Sequence, residues 1–175
     1  MVDTNRDKTK SCDFCAIARG ENRFTEVICE NEDWVAFFPF NPATPGHTLV
    51  IPRFHVADLW AMEPHMGAEL MTALIKLGRA IHSSLAPEGM NLITSSGTVA
   101  EQSVFHLHFH VIPRWQKDGF GRIWPVKKES DDTTLEDIAG RIRVAYNNIY
   151  SSSNVNVVVD VEGCRPVTLG MSSNN

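Results

Sequence analysis

The chain has 175 residues, of which 43% are hydrophobic and 21% charged, and its formal net charge is −5. This length suits one domain with a sizeable core, and the mild acidity argues against binding to duplex nucleic acid or to an anionic membrane surface. No apolar run approaches the ~18 residues of a membrane span, and the polar start MVDTNRDKTKSCDF lacks the apolar core of a signal peptide. With four cysteines and no secretory signal, we expect a reducing, cytoplasmic location.

Apolar runs bounded by turn residues predict an α+β domain on an antiparallel sheet. Strands are predicted at 27–30, 34–38, 47–52, 91–94 and 103–113. Apolar residues at three- and four-residue steps from Met66 to Leu85 predict a long helix that starts at Pro64 and is ended by Pro87 and Gly89, and a second helix is predicted to start near Thr134.

The predicted elements define the layout of the chain. We expect residues 1–11 to be disordered and residues 12–150 to form the domain. A flexible serine-rich segment, SSSN, follows the domain at 151–154. We interpret residues 151–175 as a C-terminal extension with a possible extra strand and a disordered tail.

The segment HLHFHVI at 106–112 places three of the seven histidines at every second position. Because alternate side chains of a strand share one face, His106, His108 and His110 are predicted to form a row of imidazoles. The row could be the polar face of an amphipathic strand, although histidine is an uncommon choice there. It could also chelate a catalytic metal, or present one imidazole as a nucleophile organised by its neighbours. The spacing alone does not separate these two chemistries.

HLHFHVIP resembles the histidine-triad pattern of the HIT superfamily of nucleotide hydrolases and transferases. Three further stretches resemble bacterial HIT proteins with an N-terminal CxxC, in the family's order: CDFCAIARGE (12–21), GHTLVIPRFH (46–55) and HVIPRWQKDGFGRIWP (110–125). The similarity covers roughly residues 12–145. It implies the HIT fold, with a five-stranded antiparallel sheet and two helices, and a homodimer with a continuous sheet.

The resemblance implies attack on the α-phosphate of a nucleoside phosphoramidate or dinucleoside polyphosphate. His108 matches the nucleophile, which forms a covalent phosphohistidine, and the carbonyl of His110 is expected to hold its Nδ1 proton. Ser103 and the His110 imidazole match groups that support the phosphate and the leaving group. His47 is expected to support the triad, unless it is simply a buried, satisfied imidazole. These steps require no catalytic metal.

The resemblance also implies a nucleotide pocket. Its apolar positions are matched by Phe14, Ile17, Phe37, Phe38 and Phe40, although an aromatic cluster is equally typical of a core. Its polar positions are matched by Ser95 and Gln102.

Three residues depart from the family pattern. Pro39 stands where an aspartate usually binds the ribose hydroxyls, Glu101 where glycine is usual, and Ser95 where asparagine or glutamine is usual. These departures leave a nucleotide-binding, zinc-stabilised protein with little or no turnover as an alternative function. A metallo-hydrolase with zinc on the triad is a further alternative.

Cys12 and Cys15 have the spacing of a zinc knuckle but no second pair downstream. Taken alone they are either two reduced thiols or half of a metal site completed by distant histidines. Some HIT proteins and the related uridylyltransferases hold a structural zinc with such a pair and two histidines. The matching residues imply a structural zinc site formed by Cys12, Cys15, His55 and His106.

Overall fold

A computed structural model of the protein describes residues 12–21, 25–124 and 132–151. The predicted disordered segment 1–11 and the predicted extension beyond residue 151 lie outside these ranges. Contacts divide the chain into two units, residues 1–122 and 123–175, and each is described by itself. The extent predicted for the domain, 12–150, therefore stays a prediction.

One antiparallel sheet of five strands forms the centre of the first unit, in the order β1-β2-β3-β5-β4. The strands are β1 (Val27–Glu30), β2 (Trp34–Phe37), β3 (Thr48–Pro52), β4 (Gly89–Ile93) and β5 (Phe109–Arg114). The turn between β1 and β2 is closed by Asn31, whose side-chain oxygen accepts the N–H groups of Asp33 and Trp34. The predicted five-stranded antiparallel sheet is confirmed.

The strand predicted at 103–113 begins later than expected, at Phe109. The N–H of Leu107 donates to the carbonyl of Val56, and the carbonyl of His108 accepts the hydroxyl of Thr94, so this backbone bonds to loop partners instead of a strand ladder. Only His110 of the histidine run lies on β5. The three imidazoles still share one side of the backbone as predicted, with ring contacts among themselves and with Phe14, because Leu107, Phe109 and Val111 pack into the apolar cluster on the other side.

Three α-helices lie in the described ranges, one more than predicted. They are α1 (Asp13–Ala18), α2 (Pro64–Leu85) and α3 (Asp132–Ser151), and α3 belongs to the second unit. Pro64 suits the first turn of α2 because its missing N–H would have no partner there. Helix α1 has only six residues, too few to show a helical period in the sequence.

The alternation of strand side chains separates two apolar layers. Residues of β2, β3 and β5 pack with the buried stripe of α2; this cluster includes Ala36, Val50, Val111, Leu70, Leu74, Leu77 and Ile81. The opposite face of the sheet packs against α1; this cluster is Ile17, Ala18, Val35, Phe37, Leu49 and Ile51. Within the described ranges, no helix is long and apolar enough to cross a bilayer.

Candidate active site and metal centre

Four thiol and imidazole side chains converge where α1 meets the end of β3 and the segment before β5. The potential ligand atoms of Cys12, Cys15, His55 and His106 all lie within 4.8 Å of one another. Cys15 Sγ lies 3.3 Å from His55 Nδ1 and 3.5 Å from His106 Nδ1, and Cys12 Sγ lies 3.6 Å from His106 Nδ1. A tetrahedral zinc ion with Zn–S of ~2.3 Å and Zn–N of ~2.0 Å has sulfur–nitrogen edges of about 3.5 Å. The predicted ligands are thus brought together, and they fit zinc in donor type and spacing.

The imidazole of His106 is oriented for this cluster. It is fully buried, and its Nε2 lies 2.9 Å from the carbonyl oxygen of Pro52. A carbonyl can only accept, so Nε2 carries the proton and the Nδ1 lone pair faces the thiols. Burial lowers the pKa of His106 to about 4, which keeps the ring neutral at pH 7.

Burial, together with a hydrogen bond to Cys12, raises the pKa of the Cys15 thiol to about 11. A thiolate at this position therefore requires a compensating cation, and metal binding at neutral pH would release a proton. The four side chains could hold a metal ion, and a bound cation would stabilise the thiolate of Cys15.

Helix α1 presents the two cysteines on neighbouring positions of one turn. Cys12 precedes the helix and its carbonyl accepts the N–H of Ala16, so the Cys12 and Cys15 side chains are three residues apart on the same side. The other end of α1 is held by Arg53, whose guanidinium donates to the carbonyls of Ala18 and Asn31. Sequence reasoning missed Arg53, since nothing in the local pattern shows that it reaches a distant helix end.

His108 is buried, with 5% of its surface exposed, and its tautomer is fixed by the backbone. Its Nδ1 lies 2.7 Å from the carbonyl oxygen of His106, so Nδ1 carries the proton and the Nε2 lone pair is free. Burial lowers the pKa of His108, which favours the neutral ring. The expectation that the His110 carbonyl would hold this proton is wrong. His110 pairs with both neighbouring strands inside the sheet, whereas the His106 carbonyl lies outside the ladder and can accept.

His47 fixes the tautomer of His110 through a short relay. The N–H of Ala43 donates to His47 Nδ1 at 3.0 Å, so the His47 proton is on Nε2. That Nε2 lies 2.9 Å from His110 Nδ1 and donates to it, which places the His110 proton on Nε2. Burial and the neighbouring His108 and His47 lower the pKa of His110 to about 4. The His108 and His110 ring centroids are 5.0 Å apart, so a free Nε2 lone pair and an Nε2–H donor stand on adjacent rings.

The apolar positions predicted for the nucleotide pocket separate into two groups. Ile17 and Phe37 are buried in the cluster beneath α1, and the half-buried ring of Phe14 packs on Phe37 with centroids 5.5 Å apart. Phe38 and Phe40 lie after β2 and are 39% and 93% exposed. Packing therefore accounts for the first group, while the second group faces solvent.

The side chain of Gln102 is buried and bonded to the backbone. Its Nε2 donates to the carbonyls of Ala57 (2.6 Å) and Val104 (3.2 Å), and its Oε1 accepts the N–H of Gly97 (2.8 Å). Both amide hydrogens are occupied, which favours a structural role over ligand contact. Gln102 thereby ties the loop before the triad to the loop that follows β3, and it leaves the adjacent Ser103 exposed.

The departures from the family pattern have definite places in the structure. Glu101 is exposed and adopts a left-handed backbone with φ of 66°, which explains why glycine is favoured at this position. Pro39 lies in the loop after β2, and Ser95 is half-buried in the loop after β4.

The family model described as HIT domain matches residues 21–117, and the chain belongs to the HIT family. Adenosine 5'-monophosphoramidase hnt1 of Schizosaccharomyces pombe is 31% identical over 137 residues, which cover 76% of this chain and 99% of that protein.

Two solved structures show the same fold. A HIT family protein from Bacillus anthracis is 36% identical with a TM-score of 0.71, and the match covers 77% of this chain and 96% of that one. A zinc-bound histidine triad family protein from Mycobacterium smegmatis is 31% identical with a TM-score of 0.60, and covers 78% of this chain and 99% of that one.

Proposed function

We propose that the protein is a nucleotide hydrolase or nucleotidyl transferase that acts on the α-phosphate of nucleoside phosphoramidates or dinucleoside polyphosphates. The observation that carries the proposal is the tautomer of His108, whose Nδ1–H is held by a carbonyl while Nε2 stays free. A neutral imidazole in this state is a competent nucleophile near pH 7. The phosphoramidase among the relatives supports cleavage of P–N bonds.

In the first step, the Nε2 lone pair of His108 attacks the α-phosphorus, and the bond from phosphorus to the leaving group breaks. The leaving group departs with that electron pair, and a leaving amine takes up a proton from solvent. Water then attacks the phosphorus of the phosphohistidine, the P–Nε2 bond breaks, and a proton returns to solvent. This sequence restores the free Nε2 of His108.

Charge that builds up on the phosphate oxygens requires donors that are already aimed. His110 offers its Nε2–H, which is fixed by His47, and Ser103 offers an exposed hydroxyl in the segment before the triad. Because His110 stays neutral at pH 7, it stabilises the phosphate by hydrogen bonding and not as a cation.

We assign structural zinc to the Cys12, Cys15, His55 and His106 cluster, and the zinc-bound relative supports this choice. When bound, zinc would crosslink α1 to the segments around the triad, and its charge would be balanced by the two thiolates. Among the residues that the structure describes, this is the one group of three or more His, Cys, Asp or Glu side chains close enough to share an ion. The geometry disfavours a metallo-hydrolase with zinc on the triad, because only His106 turns toward the cluster.

We propose further that two copies pair through the edge strand β4 and the neighbouring face of α2. Apolar side chains stand exposed on this surface: Met71, Ile75, Met90 and Leu92 are 45%, 49%, 37% and 47% exposed. An open strand edge beside such a patch suits continuation of the sheet into a second copy. Light scattering of Leu92→Glu should report a monomer where the natural chain reports a dimer.

A cytoplasmic location belongs to the same proposal, because cysteines remain reduced and able to bind a metal in a reducing compartment.

The test is incubation with adenosine phosphoramidate and with a diadenosine polyphosphate, before and after treatment with a strong chelator. We expect release of AMP, and protein denatured at alkaline pH, where a phosphohistidine is stable, should carry one nucleoside monophosphate on His108 by mass spectrometry. Tight nucleotide binding without release of AMP would support the alternative, a nucleotide-binding protein with little turnover. That alternative is favoured by Pro39 and by the exposed carboxylate of Glu101 near Ser103.

A further inference from the structure

Phe14 lies on α1 between the two cysteines of the metal cluster, and its ring faces the triad. Its centroid is 5.2 Å from that of His108, with the ring planes at 86°, and 6.0 Å from that of His106. Both are edge-to-face contacts of the kind that fix the relative orientation of two rings. The same side chain thus touches the proposed nucleophile and one proposed metal ligand.

The carbonyl of His106 holds one atom of the His108 ring but does not by itself fix the ring. The torsion between Cβ and the imidazole is broad, so a ring bonded only at Nδ1 can still swing Nε2 away from its target. The edge-to-face contact with Phe14 restricts that swing from the other side. The orientation of His108 Nε2 toward the phosphorus therefore depends on both the His106 carbonyl and the Phe14 ring.

The place of Phe14 depends in turn on α1. A helix of six residues is not stable alone, because isolated helices below about 12 residues are marginal in water. Arg53 holds the C-terminal end of α1 through the carbonyl of Ala18. At the N-terminal end, Cys12 and Cys15 meet His106 across the metal cluster. A metal ion bound there would fix the turn that carries Phe14.

We propose that Phe14 is a positioning residue for His108 and that metal occupancy of the Cys12, Cys15, His55 and His106 cluster sets its position. The cluster then acts on turnover as well as on folding. Only the rate measurements of this proposal rest on the proposed function, because the state of the His108 ring can be read without a substrate.

The first arm of the test replaces Phe14 by leucine, which keeps an apolar side chain but removes the ring edge. We expect kcat for adenosine phosphoramidate to fall between about tenfold and a hundredfold, the range that small misplacements of a reacting group produce. KM should stay within about twofold, because uniform binding is unaffected. The matched control is Phe120→Leu, since Phe120 packs under Arg114 outside the site and should leave both constants unchanged.

The second arm compares the zinc-loaded protein, the chelated protein and Cys12→Ser, with Cys29→Ser as the control thiol outside the cluster. All samples are kept well below their thermal unfolding transitions. We expect chelation and Cys12→Ser to lower kcat as Phe14→Leu does, and added zinc to restore the chelated protein only.

The third arm is long-range nitrogen NMR of histidine-labelled protein, which reports the tautomer of each ring. His108 should show a single Nδ1–H tautomer with zinc, and a mixture in the chelated protein and in Phe14→Leu. His108→Asn assigns the signal. If the natural chain never releases AMP, the proposed function fails while these spectra still decide the positioning role.

Three results would overturn the proposal. Phe14→Leu with a raised KM and unchanged kcat would make Phe14 a ligand contact. A folded, metal-free protein with the same turnover and the same His108 tautomer as the zinc form would show that metal binding does not affect His108. Equal losses in Phe14→Leu and Phe120→Leu would show a general effect of aromatic packing.

Discussion

Replacing His47 by alanine removes the relay that sets the tautomer of His110. The natural ring accepts the N–H of Ala43 and donates to His110 Nδ1 at 2.9 Å, and it is 5% exposed. Leaving a buried polar atom without a partner costs about 1–3 kcal/mol, but Ala43 is exposed and water can replace its bond. The free energy of unfolding should therefore fall by about 2 kcal/mol, mostly from the half-buried His110 nitrogen and the lost packing.

The loss of turnover has a lower and an upper bound. If the tautomers of His110 become evenly mixed, half of the molecules lack the Nε2–H donor and kcat falls about twofold. Complete loss of one aimed donor costs about a hundredfold or more. Since the lost bond is worth about 1 kcal/mol, we expect a fall of about fivefold in kcat with little change in KM.

The matched variant is His47→Gln, whose side-chain amide can place a donor where His47 Nε2 lies. Steady-state kinetics on adenosine phosphoramidate and urea unfolding should be run on both variants and on the natural chain. Glutamine should recover most of the kcat that alanine loses. If His47→Ala keeps the natural kcat, or if the two variants lose equally, the relay through His110 is not what supports turnover.

His108→Asn should abolish AMP release while the dissociation constant for nucleotide, measured by calorimetry, changes little; turnover at the natural rate would exclude His108 as the nucleophile. Glu101→Gly should raise the free energy of unfolding, measured by urea titration, by about 0.5 kcal/mol. Relief of the left-handed backbone strain contributes about 1–2 kcal/mol, which exceeds the cost of about 0.4–1 kcal/mol from the entropy that glycine adds to the unfolded chain. A loss of stability would contradict this prediction. The pKa of His110 is lowered from 6.5 to about 4 and that of His47 is also lowered, so the unfolded chain binds more protons between these values. The stability they contribute should be complete above about pH 6.5 and lost as pH falls toward 4, as thermal melts across that range can check.

The sheet and the long helix could be predicted because their physics is local. Period-two and period-3.6 patterns, bounded by proline and glycine, are sufficient to place β2, β3 and α2 to within a few residues. Helix α1 was not predicted because contacts with Arg53 and the sheet stabilise it, whereas its own sequence is too short to show a helical period. Strand β5 started late because the backbone of residues 106–108 bonds to loops that only the folded chain brings near.

The metal cluster could be proposed from the sequence only through the resemblance. The CxxC spacing indicated half of a site, and nothing in the local pattern of His55 or His106 marks them as the other half. The same limit applies to Gln102, which the resemblance placed at the nucleotide and the structure bonds to three backbone groups. Sequence spacing shows which donors exist, but hydrogen-bond partners show which of them remain available.

The three triad imidazoles differ because each Nδ1 meets a different neighbour. The Nδ1 lone pair of His106 faces the thiols, the Nδ1–H of His108 donates to a carbonyl, and Nδ1 of His110 accepts a hydrogen bond from the ring of His47. Identical side chains thus present an Nδ1 lone pair suited to a metal, a free Nε2 lone pair and an Nε2–H donor, without any formal charge. A period of two in the sequence places the three rings in a row but cannot encode these differences, because they depend on hydrogen-bond partners that only the folded chain supplies. Leu107, the single residue between the proposed metal ligand and the proposed nucleophile, is fully buried and its N–H donates to the carbonyl of Val56, which restrains the backbone that joins the two rings.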